Sequence, residues 1–119
     1  MAREFEQRRQ ELRGKLRTLV ALPLMRGSLV ERVRVCGKPR CACAKDPGAR
    51  HPGRYLSVHL DGRTQVVHLR PAAVPAVQEA IAGYEALWAT LTALTAVEVA
   101  SLRRAAQERR RGRRRRGGG

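Results

Sequence analysis

Tyr55-Leu56-Ser57-Val58-His59-Leu60-Asp61-Gly62-Arg63-Thr64-Gln65-Val66-Val67-His68-Leu69 is the stretch that decides the fold of this chain. Two alternating runs flank Asp61-Gly62. That dipeptide joins antiparallel strands, because a type I′ turn needs positive φ at both central residues. A two-residue turn also fixes the register. Leu60 then opposes Arg63, Val58 opposes Gln65, and Leu56 opposes Val67. The predicted core face carries Leu56, Val58, Val67 and Leu69, and Tyr55, His59, Val66 and His68 share the other face.

Working outward, residues 28–35 alternate in the same way and predict a third strand that delivers Cys36 at its end. Residues 3–22 read as a helix with Phe5, Leu12, Leu16 and Leu19 on one stripe and Leu22 as a further candidate at its end. Pro23 stops it, since a residue before proline avoids helical geometry. After Pro71, the residues Val74, Val77, Ile81, Tyr84, Trp88 and Leu91 recur three and four apart, the seam of helices that pack at shallow angles. Thr95-Ala96-Val97-Glu98 has the form of a capping box. Either a second helix starts there, with Val99, Leu102 and Ala106 on one side, or one helix runs through. From Arg109 onward only Arg and Gly occur, which predicts a disordered tail.

The expected fold is therefore α+β, one small domain over residues 1–108 with a tail over 109–119. Its parts are an N-terminal helix at 3–22, a Cys-rich loop at 36–53, a hairpin at 54–69 and C-terminal helices at 71–108. The three strands form one antiparallel sheet.

All three cysteines of the chain fall within Cys36-Gly37-Lys38-Pro39-Arg40-Cys41-Ala42-Cys43. A structureless loop as long as 37–53 is unusual in so small a domain unless something ties it down. Three thiolates and an imidazole form a zinc ligand set. Cys41 and Cys43 would point to opposite sides of an extended chain, so they converge only if the backbone turns at Ala42. Gly37 and Pro39 allow the reversal that brings Cys36 to them. His51 is the natural fourth ligand, with His59 and His68 as rivals. The hairpin register puts those two about 13 Å apart, too far to share an ion, although either could serve alone. Two other readings stay open. The cysteines could be small buried fillers, or reactive thiols whose pKa is lowered by Lys38, Arg40 and Lys45.

The formal net charge is +15, from 25 basic and 10 acidic residues. Residues 103–116 hold nine arginines against Glu108, a net +8, so the body carries +7 of its own. Such an excess favours polyanions. The expected contacts are Arg32, Arg34, Lys38, Arg40, Lys45, Arg50 and Arg54 in the body. The tail adds Arg109, Arg110, Arg111, Arg113, Arg114, Arg115 and Arg116. Of the basic residues 22 are Arg, and a G+C-rich codon bias would produce the same surplus without any selection for binding. Aromatics make up only 3% of the chain, too few for a base-stacking platform, and no recognition helix is evident. The expected nucleic-acid contact is thus to duplex, with weak sequence preference.

No paired carboxylates, Gly-rich phosphate loop or Ser-His-Asp set occur, so no enzyme activity is expected. A four-ligand zinc site with no open position is the structural type. The apolar stretch at residues 19–25 is too short for a membrane span, and clustered reduced thiols point to a cytoplasmic protein without a membrane role. The helical seam is read as internal core, or in part as an intermolecular face for a homodimer or a larger protein.

At these residues the chain resembles a family of small bacterial and archaeal proteins of unknown function. The shared features are Gly27-Ser28-Leu29-Val30, Cys36-Gly37-Lys38-Pro39-Arg40-Cys41-Ala42-Cys43-Ala44, the segment His51 to Tyr55, and Asp61-Gly62. The resemblance spans about residues 10 to 102. It implies companionship with mobile elements, and a transposase as a partner. His51-Pro52-Gly53-Arg54-Tyr55 reorders the usual His-Gly-Pro-Tyr of that pattern, and the arginine tail lies outside it.

Overall fold

The computed structural model describes residues 2–117. Helix α1 spans Ala2–Val20, strand β1 Ser28–Arg34, β2 His51–Leu60, β3 Arg63–Leu69, and helix α2 Val74–Gly117. Short 3₁₀ turns occupy Ala42–Ala44, Pro47–Ala49 and Pro71–Ala73. The chain divides into two compact units, one from residues 23–84 and one from residues 1–22 with 85–119.

The first unit is the sheet with the opening turns of α2. Its strands lie in the order β1-β2-β3, all antiparallel. The hairpin has the register read from its turn: Leu60 faces Arg63, His59 faces Thr64, and Tyr55 faces His68. Asp61 and Gly62 both take positive φ, 53° and 76°, the pair of values a type I′ turn requires. β1 pairs along β2 from Ser28 opposite Ser57 to Arg34 opposite His51.

Leu56, Leu69, Val74 and Val77 form the buried cluster, with Leu29, Val58 and Ile81 packed against it. This matches the predicted core face with one correction, Val67, which is 48% exposed. The apolar side of α2 sits over Leu29, Leu56, Val58 and Leu69, which leaves Val67 on the rim of edge strand β3. The segment before β1 is fixed by the Met25 N–H donating to the Ala80 carbonyl at 3.0 Å. Gly27 is then pressed against β2. A Cβ there would lie 2.8 Å from Val58 Cγ1 and 2.9 Å from the Ser57 carbonyl oxygen. Gly27→Ala is expected to destabilise the protein by about 1–3 kcal/mol, as overpacked sites do, and chemical denaturation would measure it.

The second unit holds α1 and the rest of α2. Leu12 is buried, and Phe5, Leu16 and Leu19 are half-buried, as the N-terminal stripe predicts, but α1 ends at Val20, two residues before the predicted bound, and Leu22 beyond it is 56% exposed. Arg9 forms a two-pronged hydrogen bond to Glu98. Phe5 borders a shallow groove with Ala100, Arg104 and Glu108. α1 therefore lies along the side of α2 that carries the buried or half-buried Leu87, Thr90, Leu94, Val97 and Ser101.

Three expectations need correction and one open alternative is decided. The predicted seam does not continue through Trp88 and Leu91, which are 62% and 41% exposed. An α-helix turns about 3.6 residues per turn, so a 3.5-residue repeat drifts round it by about 20° per heptad. After Tyr84 the inward residue is Leu87, one position earlier than Trp88. Second, of the two readings left open at Thr95 the continuous helix is the one observed, since α2 runs unbroken through that residue. The Thr95 hydroxyl donates back to the Leu91 carbonyl at 3.0 Å, the mid-helix habit of threonine, and so caps nothing. Third, α2 runs on to Gly117 in place of a disordered tail. Arginine is a good helix former, and extending a helix already nucleated adds one hydrogen bond per residue fixed. Gly118 and Gly119 of the predicted tail lie outside the described residues. Fourth, β2 starts at His51, three residues earlier than the predicted hairpin, which shortens the Cys-rich loop to residues 35–50.

Candidate metal centre

The loop after β1 reverses tightly at Gly37, whose φ is +82°. The Cys41 N–H then closes a turn onto the Lys38 carbonyl at 3.1 Å. Next comes the 3₁₀ turn Ala42–Ala44, with the Ala44 N–H bonded to the Cys41 carbonyl at 3.1 Å. This turn rotates Cys43 back toward Cys41, the bend at Ala42 that their spacing requires. A second 3₁₀ turn follows, capped by Asp46 Oδ1, which accepts from the Gly48 N–H at 2.9 Å. Asp46-Pro47-Gly48 is a legible Asx-turn signal. The loop is thus a chain of short turns that ends where β2 presents His51 opposite Arg34.

These turns bring Cys36, Cys41, Cys43 and His51 together. One ligand atom from each lies within 4.8 Å of all the others. The Cys36 and Cys43 sulfurs are 3.4 Å apart, and Cys41 Sγ is 3.2 Å from His51 Nε2. A tetrahedral zinc with Zn–S near ~2.3 Å separates its ligand sulfurs by about 3.8 Å, so the cluster fits an ion with a small outward adjustment. The rivals fall away: His59 shares a hydrogen bond with Thr64 at 3.4 Å, and the His68 ring packs edge-on against Tyr55 at 5.2 Å.

The electrostatics suit a cation. The Cys41 thiol is pulled from 9.0 to about 6, first by the Cys43 backbone N–H and then by His51, with Cys43 and Cys36 adding to it. At Cys43 the Cys36 N–H donates to the sulfur at 3.4 Å and lowers the pKa. Burial of Cys43, only 2% exposed, and the neighbouring Cys41 and Cys36 sulfurs outweigh that bond, so the net shift is upward. A second thiolate beside the first is disfavoured, and a divalent cation would remove that penalty. The backbone donor on Cys43 is the type of outer contact that orients a metal-bound sulfur. Sequence alone does not reveal it.

The basic residues are distributed unevenly. Arg32, Arg34, Lys38, Arg40, Lys45 and Arg50 are exposed. None of these six has a carboxylate within 4.0 Å among the described residues. Arg32 and Arg34 share the open face of the sheet with Val30, Tyr55 and His68. Arg54 does not join them. It shares the other face with Leu56 and pairs with Glu31 at 3.3 Å. The arginines from Arg109 to Arg116 are exposed on the last turns of α2.

Residues 2–79 match the family model described as "Domain of unknown function (DUF6788)". No curated protein and no solved structure matches the chain.

Proposed function

The chain belongs to this DUF6788 family, and from that premise we propose that it is a non-catalytic module in which a structural zinc ion fixes a basic surface for nucleic acid. The observation that carries the metal part is the convergence of Cys36, Cys41, Cys43 and His51 within 4.8 Å. Soft thiolates with one imidazole select zinc over harder divalent ions. With all four positions taken by protein, the ion has no site for substrate and acts as a staple.

The nucleic-acid part draws support from the exposed, carboxylate-free Arg32, Arg34, Lys38, Arg40, Lys45 and Arg50, and from the arginine run on α2. Such groups contact phosphates without reading bases. A role beside a transposase or another mobile-element protein in the cytoplasm completes the reading, by the family resemblance of the Cys-Gly-Lys-Pro segment. Elemental analysis of the protein purified without added metal is expected to give one zinc per chain. Fluorescence anisotropy with a random duplex is expected to show binding that weakens with salt. A metal-free protein, or binding that is absent or flat with salt, removes the corresponding half of the proposal.

A further inference from the structure

α2 carries two apolar stripes in the second unit. One is covered by α1. The other consists of Trp88, Leu91, Thr95, Val99 and Leu102, and its four apolar members are 62%, 41%, 38% and 69% exposed. At about 100° per residue the two stripes lie about 120° apart around the helix. α1 therefore cannot serve both.

The exposed stripe is symmetric about Thr95. Its apolar members stand four and seven residues to either side. Turned end for end, the stripe presents the same pattern, so Trp88 meets Leu102 and Leu91 meets Val99. A face that complements itself under a two-fold rotation is what an isologous contact requires.

The charges agree with that direction. Glu85 and Arg103 project on the same flank of the stripe, both at about 80° from Thr95. Both are exposed, and neither has a salt-bridge partner among the described residues. In an antiparallel pair the two-fold axis through Thr95 brings each Glu85 beside the Arg103 of the other copy. In a parallel pair this flank would meet the opposite flank at the same height, and Glu85 would face apolar Leu87.

We infer that the Trp88–Leu102 face of α2 binds a second copy of this chain in an antiparallel, two-fold symmetric pair. The two arginine runs then lie at opposite ends of the pair. Five residues per copy is a small interface, of the kind that forms transient complexes, so the pair should dissociate on dilution through the micromolar range.

A membrane is the rival occupant, because an 18-residue stretch within the helix from Pro71 to Gly117 has mean hydropathy 1.3 and is mostly unburied. Sedimentation of the full chain from about 1 µM to about 0.5 mM, a range that spans weak self-association, is expected to show mass rising from 13.2 kDa to twice that value. Trp88→Glu and Leu102→Glu are each expected to weaken association at least tenfold while leaving helix content and melting unchanged. Glu85→Arg and Arg103→Glu should each weaken it severalfold, and the double exchange should restore it. Restoration is specific to this register, and a merely structural defect would not produce it. A chain that stays monomeric throughout, a dimer indifferent to Trp88→Glu and Leu102→Glu, or a double exchange without rescue would overturn the inference. So would a monomer that instead floats with neutral phosphatidylcholine vesicles through Trp88.

Discussion

Stripping the metal with a chelator is expected to lower stability by about 4 kcal/mol, the linkage value for a ligand held at a thousandfold above its dissociation constant. For a domain of this size that corresponds to a fall in melting temperature of more than about 15 °C. The loop at residues 35–50 has little else to hold it. Cys43 is its buried side chain, and the hydrogen bonds within it are local turns. Cys43→Ser should be the most damaging ligand substitution, since it removes a sulfur and buries a hydroxyl beside two thiols. His51→Ala should cost less, because three thiolates remain and water can complete the tetrahedron. Acid should act like the chelator, since metal binding requires deprotonated thiols.

In the metal-free chain the pH dependence has a definite sign. The folded Cys41 value, about 6, lies below the ordinary 9.0. Its contribution to stability is therefore complete above about pH 9 and lost as pH falls through about 6. Iodoacetamide should accordingly label Cys41 ahead of Cys43 at neutral pH in metal-free protein, while zinc-loaded protein should resist at both. A wild-type chain that melts at the same temperature with and without chelator would remove the staple.

The parts of this molecule that were legible in the sequence are those governed by local rules. Asp61-Gly62 demanded positive φ twice, and from that single requirement the register of β2 and β3 followed residue by residue. The cysteine members of the candidate cluster were legible because cysteine occurs nowhere else, and the bend at Ala42 was a steric necessity for Cys41 and Cys43 to meet. His51 could be preferred over His59 and His68 but not separated from them, because the start of β2 depends on pairing with β1, a contact between distant residues. Trp88 failed for a related reason. Its spacing from Tyr84 fits a seam equally well at Leu87, and only the position of α1 decides which of the two turns inward. The arginine run failed because composition speaks to an isolated segment, whereas these residues continue a helix already nucleated and need no burial to extend it.

That helical continuation changes what removal of the run should do. Truncation after Glu108 deletes seven arginines. As a flexible tail all seven could reach phosphates, and the salt slope would fall by about 6, at about 0.9 per phosphate neutralised. On a helix they radiate around the axis, and about three can face one duplex at a time. The slope should then fall by about 2.7, so a rise from 50 to 200 mM salt costs the full chain about fortyfold more affinity than the truncated one. The residual binding of the truncated protein reports on the body. Arg32→Glu with Arg34→Glu should abolish it, because both side chains share the open sheet face beside the loop. Those two positions also separate phosphate contact from mere neutralisation of the thiolates. A zinc ion with three thiolates is net negative, and basic neighbours would stabilise it whether or not DNA binds. If the charge reversal lowers zinc affinity and leaves DNA binding by the truncated chain intact, the body's basic surface serves the metal. If DNA binding falls and zinc content holds, it serves the polyanion.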